Sequence, residues 1–341
     1  MKKRILITGG AGFIGVNAAK RFMDRGWRVA VLDDLSRQGT DTNLAWLKRQ
    51  GRLDFTRADL RDARAAERWV RARRDGLEFV LHLAAQVAVT TSVEDPRSDF
   101  ERNALGSLNI LEAVRKSGKK PFTVYASTNK VYGGMEHVRV ALKAGRWSYV
   151  GLPKGVSERE PIDFHSPYGC SKGAADQYFR DYRRIYGLPT VVFRQSCIYG
   201  PHQQGNEDQG WLAHFMKRAL AGRGVTVYGD GRQVRDALFV DDLVAAFEAA
   251  YRRRAAAAGR IYNVGGGPAS TLSLRELLAW IGARGGKKLP AAWDAWRPGD
   301  QKVYVSDIRL IGRELGWRPR TALPEGLERL WSWLASQGSE I

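Results

Sequence analysis

Cysteine and histidine are scarce in this chain of 341 residues. Its two cysteines, Cys170 and Cys197, are too few for a disulfide framework and supply no metal cluster. The five histidines show neither H-x-x-x-H nor H-E-x-x-H spacing, so no metal site is predicted. No apolar run approaches the roughly 20 residues of a membrane-spanning helix. The sequence therefore predicts neither a metal nor a membrane partner.

Acidic residues are also few, with 36 aspartates and glutamates against 55 lysines and arginines, and the formal net charge is +19. A nucleic-acid partner would explain this excess, and so would a basic chain with a site for phosphate-bearing ligands. The arginines are scattered along predicted helices and do not alternate with aromatic residues as a base-stacking surface would. We therefore expect no nucleic-acid partner.

The amino terminus has little resemblance to a targeting signal. Met1–Arg4 is basic, but only Ile5–Ile7 is apolar before Thr8, which is too short for the core of a signal peptide. With 44% hydrophobic and 27% charged residues, the composition is typical of a globular protein. We expect a cytoplasmic protein with one large or two interlocked domains.

What the chain does contain is a glycine turn close to its start. Arg4–Thr8 is predicted to form a buried strand, Gly9–Gly15 follows it, and a helix is predicted from Phe13 to Arg25. The glycines fit the G-x-G-x-x-G spacing, which lets the backbone approach a pyrophosphate at the start of a helix. The turn therefore predicts a dinucleotide site at the beginning of the fold.

Strand and helix patterns alternate through the first two-thirds of the chain, which predicts a doubly wound parallel sheet. Ligands of such a sheet gather at the carboxyl ends of its strands. A helix is also predicted over Phe100–Lys116, and a packing helix over Leu327–Leu334. After the first strand, the predicted strands are Arg28–Leu32, Leu53–Thr56, Glu78–Leu83, Phe122–Ala126 and Val191–Phe193.

Two carboxylates predict which dinucleotide binds. Asp33 ends the second predicted strand, 18 residues beyond Gly15, near the position of a carboxylate that binds ribose. Together with Asp34 it would repel a 2′-phosphate, so NAD is favoured over NADP. Arg37 lies nearby and weakens this preference.

A tyrosine and a lysine in a Y-x-x-x-K pair, Tyr168 and Lys172, supply candidate acid–base chemistry. On a helix these positions share a face one turn apart. A tyrosine with a pKa near 10 is a poor base, and two nearby positive charges, a lysine and a nicotinamide, would favour its phenolate. The alternative is an exposed helix face, because the pair occurs by chance in many proteins. Here it follows the strand-ending Ser127-Thr128 and the glycine turn in the order expected of a catalytic site.

Together these motifs resemble the extended short-chain dehydrogenase/reductase superfamily, in its nucleotide-sugar branch. The resemblance implies that Thr128, four residues before the tyrosine of Val131-Tyr132-Gly133, holds the reacting hydroxyl. It also implies that Tyr168 is the acid/base and that Lys172 binds the nicotinamide ribose and lowers the pKa of the tyrosine. The residues expected to contact the cofactor are Gly9, Gly12, Phe13, Ile14, Gly15, Asp33, Asp34, Asp59, Leu60, Ala84, Ala85, Gln86, Asn103, Tyr168, Lys172 and Arg194.

The two residues after Thr128 distinguish between reactions. Dehydratases of this branch carry acidic residues there, and decarboxylating relatives carry a glutamate, whereas this chain has Asn129 and Lys130. The resemblance therefore implies oxidation and re-reduction without loss of a group, which is an epimerisation. NAD would stay tightly bound and be regenerated in each turnover.

Three longer segments narrow the resemblance to the family of CDP-paratose 2-epimerases, also called CDP-tyvelose epimerases. They are Gln86–Ser92, Ser127–Gly133 and Asp163–Tyr178. The resemblance implies epimerisation at C2 of a CDP-hexose through a transient 2-keto sugar. A UDP-sugar 4-epimerase is the alternative within the class, and a catalytically silent dinucleotide- or RNA-binding protein on the same fold is the alternative outside it. Gly134–Glu160, between the catalytic segments, is expected to form a lid.

The carboxyl-terminal third is expected to hold the nucleotide sugar. We expect a Rossmann domain of residues 1–200 plus about 235–262, and a smaller α/β lobe of residues 201–234 and 263–341. The resemblance implies that Arg235 and Arg297 bind the diphosphate and that Asp300 binds ribose, since the arginine fork suits phosphate. It also implies a homodimer or homotetramer. The expected substrate-binding residues are Thr128, Asn129, Gln195, Arg235, Arg297 and Asp300.

Overall fold

The computed structural model describes residues 2–297 and 299–338. Met1, Pro298 and residues 339–341, which fall inside the predicted domain ranges, lie outside the described residues. The strands are β1 (Arg4–Thr8), β2 (Arg28–Asp33), β3 (Leu53–Arg57), β4 (Leu77–His82), β5 (Phe122–Thr128), β6 (Val140–Lys143), β7 (Arg146–Tyr149), β8 (Thr190–Gln195), β9 (Cys197–Tyr199), β10 (Val225–Tyr228), β11 (Val234–Phe239), β12 (Ile261–Val264), β13 (Thr271–Ser273), β14 (Ala291–Asp294) and β15 (Val303–Tyr304).

Helices follow most of these strands. A π-helical turn, Glu101–Leu105, and a 3₁₀ turn, Asn129–Tyr132, complete the helical structure of the described residues. The α-helices are α1 (Phe13–Asp24), α2 (Thr40–Arg49), α3 (Ala63–Ala72), α4 (Val89–Glu94), α5 (Pro96–Phe100), α6 (Gly106–Lys116), α7 (Pro167–Tyr186), α8 (Trp211–Leu220), α9 (Val240–Arg252), α10 (Arg254–Ala257), α11 (Leu274–Gly285), α12 (Arg309–Leu315) and α13 (Leu323–Ser336).

Seven strands form one parallel sheet in the spatial order β12-β8-β5-β4-β1-β2-β3. The strand order reverses between β1 and β4, and the crevice at such a reversal is where an open α/β sheet binds its ligand. Helices cover both faces, so the central strands are buried along almost their whole length. The predicted doubly wound parallel fold is confirmed, and β12 adds a seventh strand that was not predicted.

Two apolar layers enclose the sheet. On one face α1, α2 and α9 bury residues such as Phe22, Leu47 and Phe247 against it. On the other face α3, α6 and α7 bury residues such as Trp69, Ile110 and Phe179. Because both faces are covered, only the carboxyl edge of the strands is left for a ligand.

A smaller lobe lies over that edge. It contains the parallel pair β10–β14 and a sheet in which β11 pairs with β9, β13 and β15. Helices α8, α11 and α13 pack on it, and α13 buries Leu327, Leu330, Trp331 and Leu334, which confirms the predicted packing helix. The predicted domain boundaries stay a prediction, with β11 in the lobe sheet and β12 in the large sheet.

One local feature differs from the expectations. The helix predicted over Phe100–Lys116 begins with a π-helical turn and becomes α-helical only at Gly106. The segment expected to be a lid forms the β6–β7 hairpin, which packs on the lobe: Trp147 Nε1 donates to Asp230 Oδ2 at 2.8 Å, and the Tyr149 hydroxyl donates to the Val303 carbonyl at 2.9 Å. The lid role of this segment stays a prediction. No helix among the described residues is long and apolar enough to cross a membrane.

Candidate active site

The glycine turn lies against the backbone of the neighbouring strand end. Gly9 has a φ of 66°, and a side chain there would place its Cβ 2.7 Å from the Ala84 nitrogen. At Gly15 a Cβ would lie 2.3 Å from the Gly9 carbonyl oxygen. Only glycine fits these two positions. Because α1 begins at Phe13, its first free N–H groups lie beside this turn, where an anionic group is stabilised.

Asp33 at the end of β2 holds the glycine turn in place through hydrogen bonds. Its carboxylate accepts hydrogen bonds from the backbone nitrogens of Ala11 at 3.0 Å and Leu35 at 2.9 Å. Burial raises the pKa of the Asp33 carboxyl, and the backbone hydrogen bonds oppose that effect. The turn and β2 are therefore held together by one carboxylate, which also lines the cavity described next.

A single cavity of about 710 Å³ extends from the glycine turn to the smaller lobe. This volume is within the usual range for small-molecule sites. It brings together most of the sequence-predicted site residues. Those that line it are Gly9, Gly12, Phe13, Ile14, Gly15, Asp33, Asp34, Asp59, Leu60, Ala84, Ala85, Thr128, Asn129, Tyr168, Lys172, Gln195, Arg235, Arg297 and Asp300.

Gln86 and Asn103 lie behind the cavity wall. The Asn103 carbonyl oxygen accepts from the Gln86 nitrogen at 2.8 Å, and both side-chain amides donate to Asp99. Asp99 also accepts from the Ser171 hydroxyl at 2.5 Å. Gln86 and Asn103 therefore lie behind the part of the cavity wall formed by Ala84 and Ala85. Their direct contact with the cofactor stays a prediction.

Arg194 is the third predicted cofactor residue outside the cavity lining. Its guanidinium is 3% exposed and forms a two-pronged ion pair with the fully buried Asp176, at 2.9 and 3.0 Å. A further N–H donates to the Tyr132 hydroxyl at 3.2 Å. These buried partners occupy the guanidinium and give Arg194 a structural role, and its contact with the cofactor stays a prediction.

Tyr168 lies in the first turn of α7, where the Ser166 hydroxyl caps the helix by accepting from the Gly169 nitrogen at 3.0 Å. Burial raises the pKa of the Tyr168 hydroxyl to about 12, whereas the hydrogen bond with Thr128 and the charge of Arg37 lower it. The protein groups around the Tyr168 hydroxyl therefore favour the neutral phenol. The lowering by Lys172 expected from the sequence is not among these effects.

Lys172, one turn further along α7, donates instead to the Ala126 carbonyl at 2.6 Å. Its ammonium also lies 4.5 Å from the centre of the Tyr125 ring. Burial lowers the pKa of Lys172 to about 7, while Asp99 and Asp176 oppose this effect. The lysine is therefore held at the carboxyl end of β5, on the wall of the cavity.

His82 is buried beneath the site and lines no part of the cavity. Its two ring nitrogens are hydrogen-bonded to the hydroxyls of Thr8 at 2.6 Å and Ser107 at 2.9 Å. Burial lowers the pKa of His82 to about 3, so its ring is neutral at pH 7. His82 is therefore a packed residue rather than a base of the site.

The lobe end of the cavity is rich in arginine. Arg235 pairs with Asp300, and Arg297 lies 3.8 Å over the centre of the Tyr228 ring. Arg297 also donates to the Glu207 carbonyl at 2.9 Å. These side chains are positioned by β10, β11 and the segment before β15, and two guanidinium forks suit the oxygens of a diphosphate.

Sequence reasoning gave no binding role to three further cavity residues. Arg37 donates to the Gln209 side chain at 2.9 Å and so connects the large domain with the lobe. Tyr228 donates to Glu207 at 2.6 Å, and Lys130 donates to the Gly299 carbonyl at 3.1 Å. Arg37 and Lys130 were visible as basic residues beside predicted site residues, whereas Tyr228 carried no such signal.

The residues present fit a dinucleotide. Gly9 and Gly15 leave room that a Cβ would fill, free N–H groups lie at the start of α1, and the Asp33 carboxylate borders the same space. Asp34 adds a second carboxylate, which opposes a 2′-phosphate as predicted from the sequence. Near these residues the cavity is also lined by Tyr168, Thr128 and Lys172. This arrangement suits proton and hydride transfer at a carbon that carries a hydroxyl group.

Known proteins share these features. Residues 5–265 match the NAD dependent epimerase/dehydratase family. The chain is 39% identical to the CDP-paratose 2-epimerase of Salmonella typhi, with 98% of this chain and 99% of that protein covered. It is 34% identical to the dTDP-glucose 4,6-dehydratase of Streptomyces griseus, with 98% and 94% covered. The relatives named epimerases are isomerases.

Solved structures have the same fold. The UDP-glucose 4-epimerase of Thermotoga maritima, solved with UDP-glucose, superposes with a TM-score of 0.85 at 31% identity. The match covers 98% of this chain and 99% of that protein. A dTDP-glucose 4,6-dehydratase of Streptomyces venezuelae, solved with NAD bound, gives a TM-score of 0.82 at 31% identity, with 98% and 97% covered.

Proposed function

Because the chain belongs to the NAD dependent epimerase/dehydratase family, we propose that it is an NAD-dependent nucleotide-sugar epimerase that acts at C2 of a CDP-hexose. One observation carries this proposal: a single cavity contains the glycine turn, Thr128, Tyr168 and the lobe arginines, with Asn129 and Lys130 where dehydratases carry acids. The 39% identity with the CDP-paratose 2-epimerase of Salmonella typhi supports C2 and CDP.

Tyr168 acts as the base in this proposal. The phenolate takes the proton of the sugar C2 hydroxyl, while the Thr128 hydroxyl donates a hydrogen bond to the same oxygen. Lowering the pKa of the phenol from about 12 to neutrality requires about 7 kcal/mol of differential stabilisation. A phenol with the ordinary pKa of about 10 would require only about 4 kcal/mol. The value of about 12 already includes the effects of Thr128 and Arg37, so this stabilisation must come from other charges, such as the positive charge of a bound nicotinamide.

When bound, NAD supplies a hydride acceptor that returns the hydride to the other face of the sugar, together with a positive charge beside Tyr168. Lys172 orients the nicotinamide ribose from the end of β5, where its ammonium already lies. Arg235 and Arg297 hold the diphosphate, so the 2-keto sugar can turn while its nucleotide stays in place. Because there is no net redox change, NAD stays tightly bound through turnover.

A UDP-sugar 4-epimerase is the second candidate, favoured by the TM-score of 0.85 with the Thermotoga maritima enzyme solved with UDP-glucose. Thr128, Tyr168 and Lys172 serve both reactions, so the two candidates differ in which sugar carbon faces NAD. A catalytically silent binding protein would not need Thr128, Tyr168 and Lys172 together in one cavity.

We also propose a homodimer or homotetramer. Exposed apolar side chains lie on α7 and on α5, two neighbouring helices of the large domain. They are Phe100, Tyr178, Ile185 and Tyr186, with 55%, 46%, 66% and 44% of their surface exposed. A second copy packed on these helices would remove that surface from water.

Purified protein incubated with CDP-hexoses and UDP-hexoses, without added cofactor, tests the function. We expect epimers to form from a CDP-hexose, with changed ring-proton couplings at C2 by NMR. Tyr168→Phe should abolish turnover and keep NAD, whereas Tyr178→Phe, an exposed tyrosine on the same helix, should remain active. Inversion only at C4 of a UDP-hexose would replace this proposal with the second candidate, and an active Tyr168→Phe would refute the acid/base assignment.

A further inference from the structure

Lys130 is a charged side chain inside the cavity to which the function above gives no task. It belongs to the 3₁₀ turn that follows β5, and its backbone nitrogen donates to the Thr128 hydroxyl at 3.2 Å. The turn is also fastened to the lobe, since the Asn129 amide donates to Gln301 at 3.4 Å. The position of Lys130 is therefore fixed relative to the catalytic threonine.

Its side chain extends from this turn toward the lobe arginines. The ammonium donates to the Gly299 carbonyl at 3.1 Å, one residue before Asp300. Burial lowers the pKa of Lys130 to about 8; the positive charge of Arg235 adds to this effect and Asp300 opposes it. The ammonium is thus close enough to both charges to respond to them, and it lies between the catalytic turn and the diphosphate site.

The carboxylates near Lys130 lie beside the lobe arginines. Asp300 pairs with Arg235, and the side chains of Glu207 and Asp208 lie 3.9 and 3.5 Å from Arg297. The partner that the structure gives the Lys130 ammonium is a neutral carbonyl. A half-buried cation beside another cation favours the binding of an anion.

We propose that Lys130 is a substrate-positioning residue that binds the phosphate next to the sugar, as a third cation beside Arg235 and Arg297. The inference rests on the proposed function, since it places the diphosphate of a nucleotide sugar at these arginines. The phosphate joined to the sugar is the point about which the 2-keto sugar must turn. A lysine fixed to the Thr128 turn holds that point at a constant distance from the reacting hydroxyl.

Binding of a diphosphate should then be linked to proton uptake. The charged groups that face Lys130 are Arg235 from β11 and Asp300 from the segment before β15. An added phosphate raises the pKa of the ammonium, so a lysine partly neutral at pH 8 takes up a proton when the ligand binds. Calorimetry in two buffers of different ionisation enthalpy measures this uptake.

The experiment uses NAD-loaded enzyme, so that added nucleotide meets only the substrate half of the cavity. CDP, UDP, dTDP and cytidine are titrated into wild type, Lys130→Met, Lys130→Arg and the control Lys143→Met, an exposed lysine of β6. We expect Lys130→Met to weaken diphosphate binding about ten-fold or more, because one charged hydrogen bond is lost. Cytidine binding and the Lys143→Met control should be unchanged, and Lys130→Arg should retain most of the affinity.

Proton uptake near pH 8 should disappear in Lys130→Met, which a merely structural role would not cause. Unchanged diphosphate affinity in Lys130→Met, or an equal loss for cytidine and CDP, would overturn the role of Lys130 and leave the proposed function standing. If none of the three nucleoside diphosphates binds the wild type, the proposed function and this role both fail.

Discussion

Replacing Arg194 with methionine tests whether this buried arginine stabilises the fold or binds the cofactor. The side chains of Arg194 and Asp176 are 3% and 0% exposed, and Asp176 also accepts from the Ser127 hydroxyl at 2.8 Å. The variant leaves the Asp176 carboxylate buried without its cation. Breaking a buried pair in this way costs about 3–5 kcal/mol, whereas an exposed pair contributes about 0–1 kcal/mol.

Urea unfolding of NAD-free protein measures the loss directly. We expect Arg194→Met to lower the free energy of unfolding by about 3–5 kcal/mol. At roughly 2 °C per kcal/mol for a chain of this size, the melting temperature should fall by about 6–10 °C. The control is Arg61→Met, which removes a pair with Asp59 whose side chains are 38% and 36% exposed. It should change the free energy of unfolding by less than about 1 kcal/mol.

The double variant Arg194→Met/Asp176→Leu removes both charges and should recover much of the loss, since no unpaired charge then remains. NAD affinity of the folded fraction should be close to wild type for Arg194→Met. A variant that keeps wild-type stability but loses NAD would refute the buried-pair reasoning and favour the role predicted from the sequence.

Three further changes test other parts of the site. Gly15→Ala would place a Cβ 2.3 Å from a backbone oxygen, so we expect NAD binding to be lost and stability to fall by about 1–3 kcal/mol. The control is Gly282→Ala inside α11, whose Cβ would lie 3.7 Å from the backbone of Lys287 and Lys288 beyond the helix; it should be neutral or stabilising by differential scanning fluorimetry. Because the folded pKa of His82, about 3, lies below the unfolded value of 6.5, stability falls as pH falls between these values. His82→Gln should therefore reduce the dependence of unfolding free energy on pH by up to about 1.4 kcal/mol per unit between pH 4 and 6. Arg235→Met should raise KM for the nucleotide sugar about ten-fold or more with a smaller change in kcat, and an unchanged KM in steady-state assays would contradict its place at the diphosphate.

The large domain was largely predictable because its signals are local. Buried parallel strands are short apolar runs, and each is followed by residues that reach the ligand edge. Thr8, Asp33 and Thr128 could therefore be placed at strand ends from the sequence alone. The strand β12, Ile261–Val264, was not predicted, because it lies beyond the part of the chain in which strand and helix patterns alternate regularly.

The contacts that were not predicted concern side chains whose partners are distant in sequence. Arg194 follows an apolar strand just as a cofactor contact would, and nothing near it indicates that Asp176 on α7 takes its guanidinium. Lys172 was expected to act on the phenol one turn away, but the strand under the helix offers the Ala126 carbonyl to its ammonium. Spacing indicates which side chains share a helix face, and packing decides what they bind.

The end of β5 separates a residue held in the sheet from two residues that lie beyond it. Thr128 is held in register opposite Gln195 of β8, inside the sheet, whereas Asn129 and Lys130 emerge into the half-buried turn beyond it. Substitutions at these two positions alter the chemistry offered to the sugar without disturbing the apolar layers. Neither side chain packs in the apolar layers of the sheet, so we expect substitutions at both positions to cost little stability. One scaffold can therefore offer different side chains to the sugar just beyond the end of a strand.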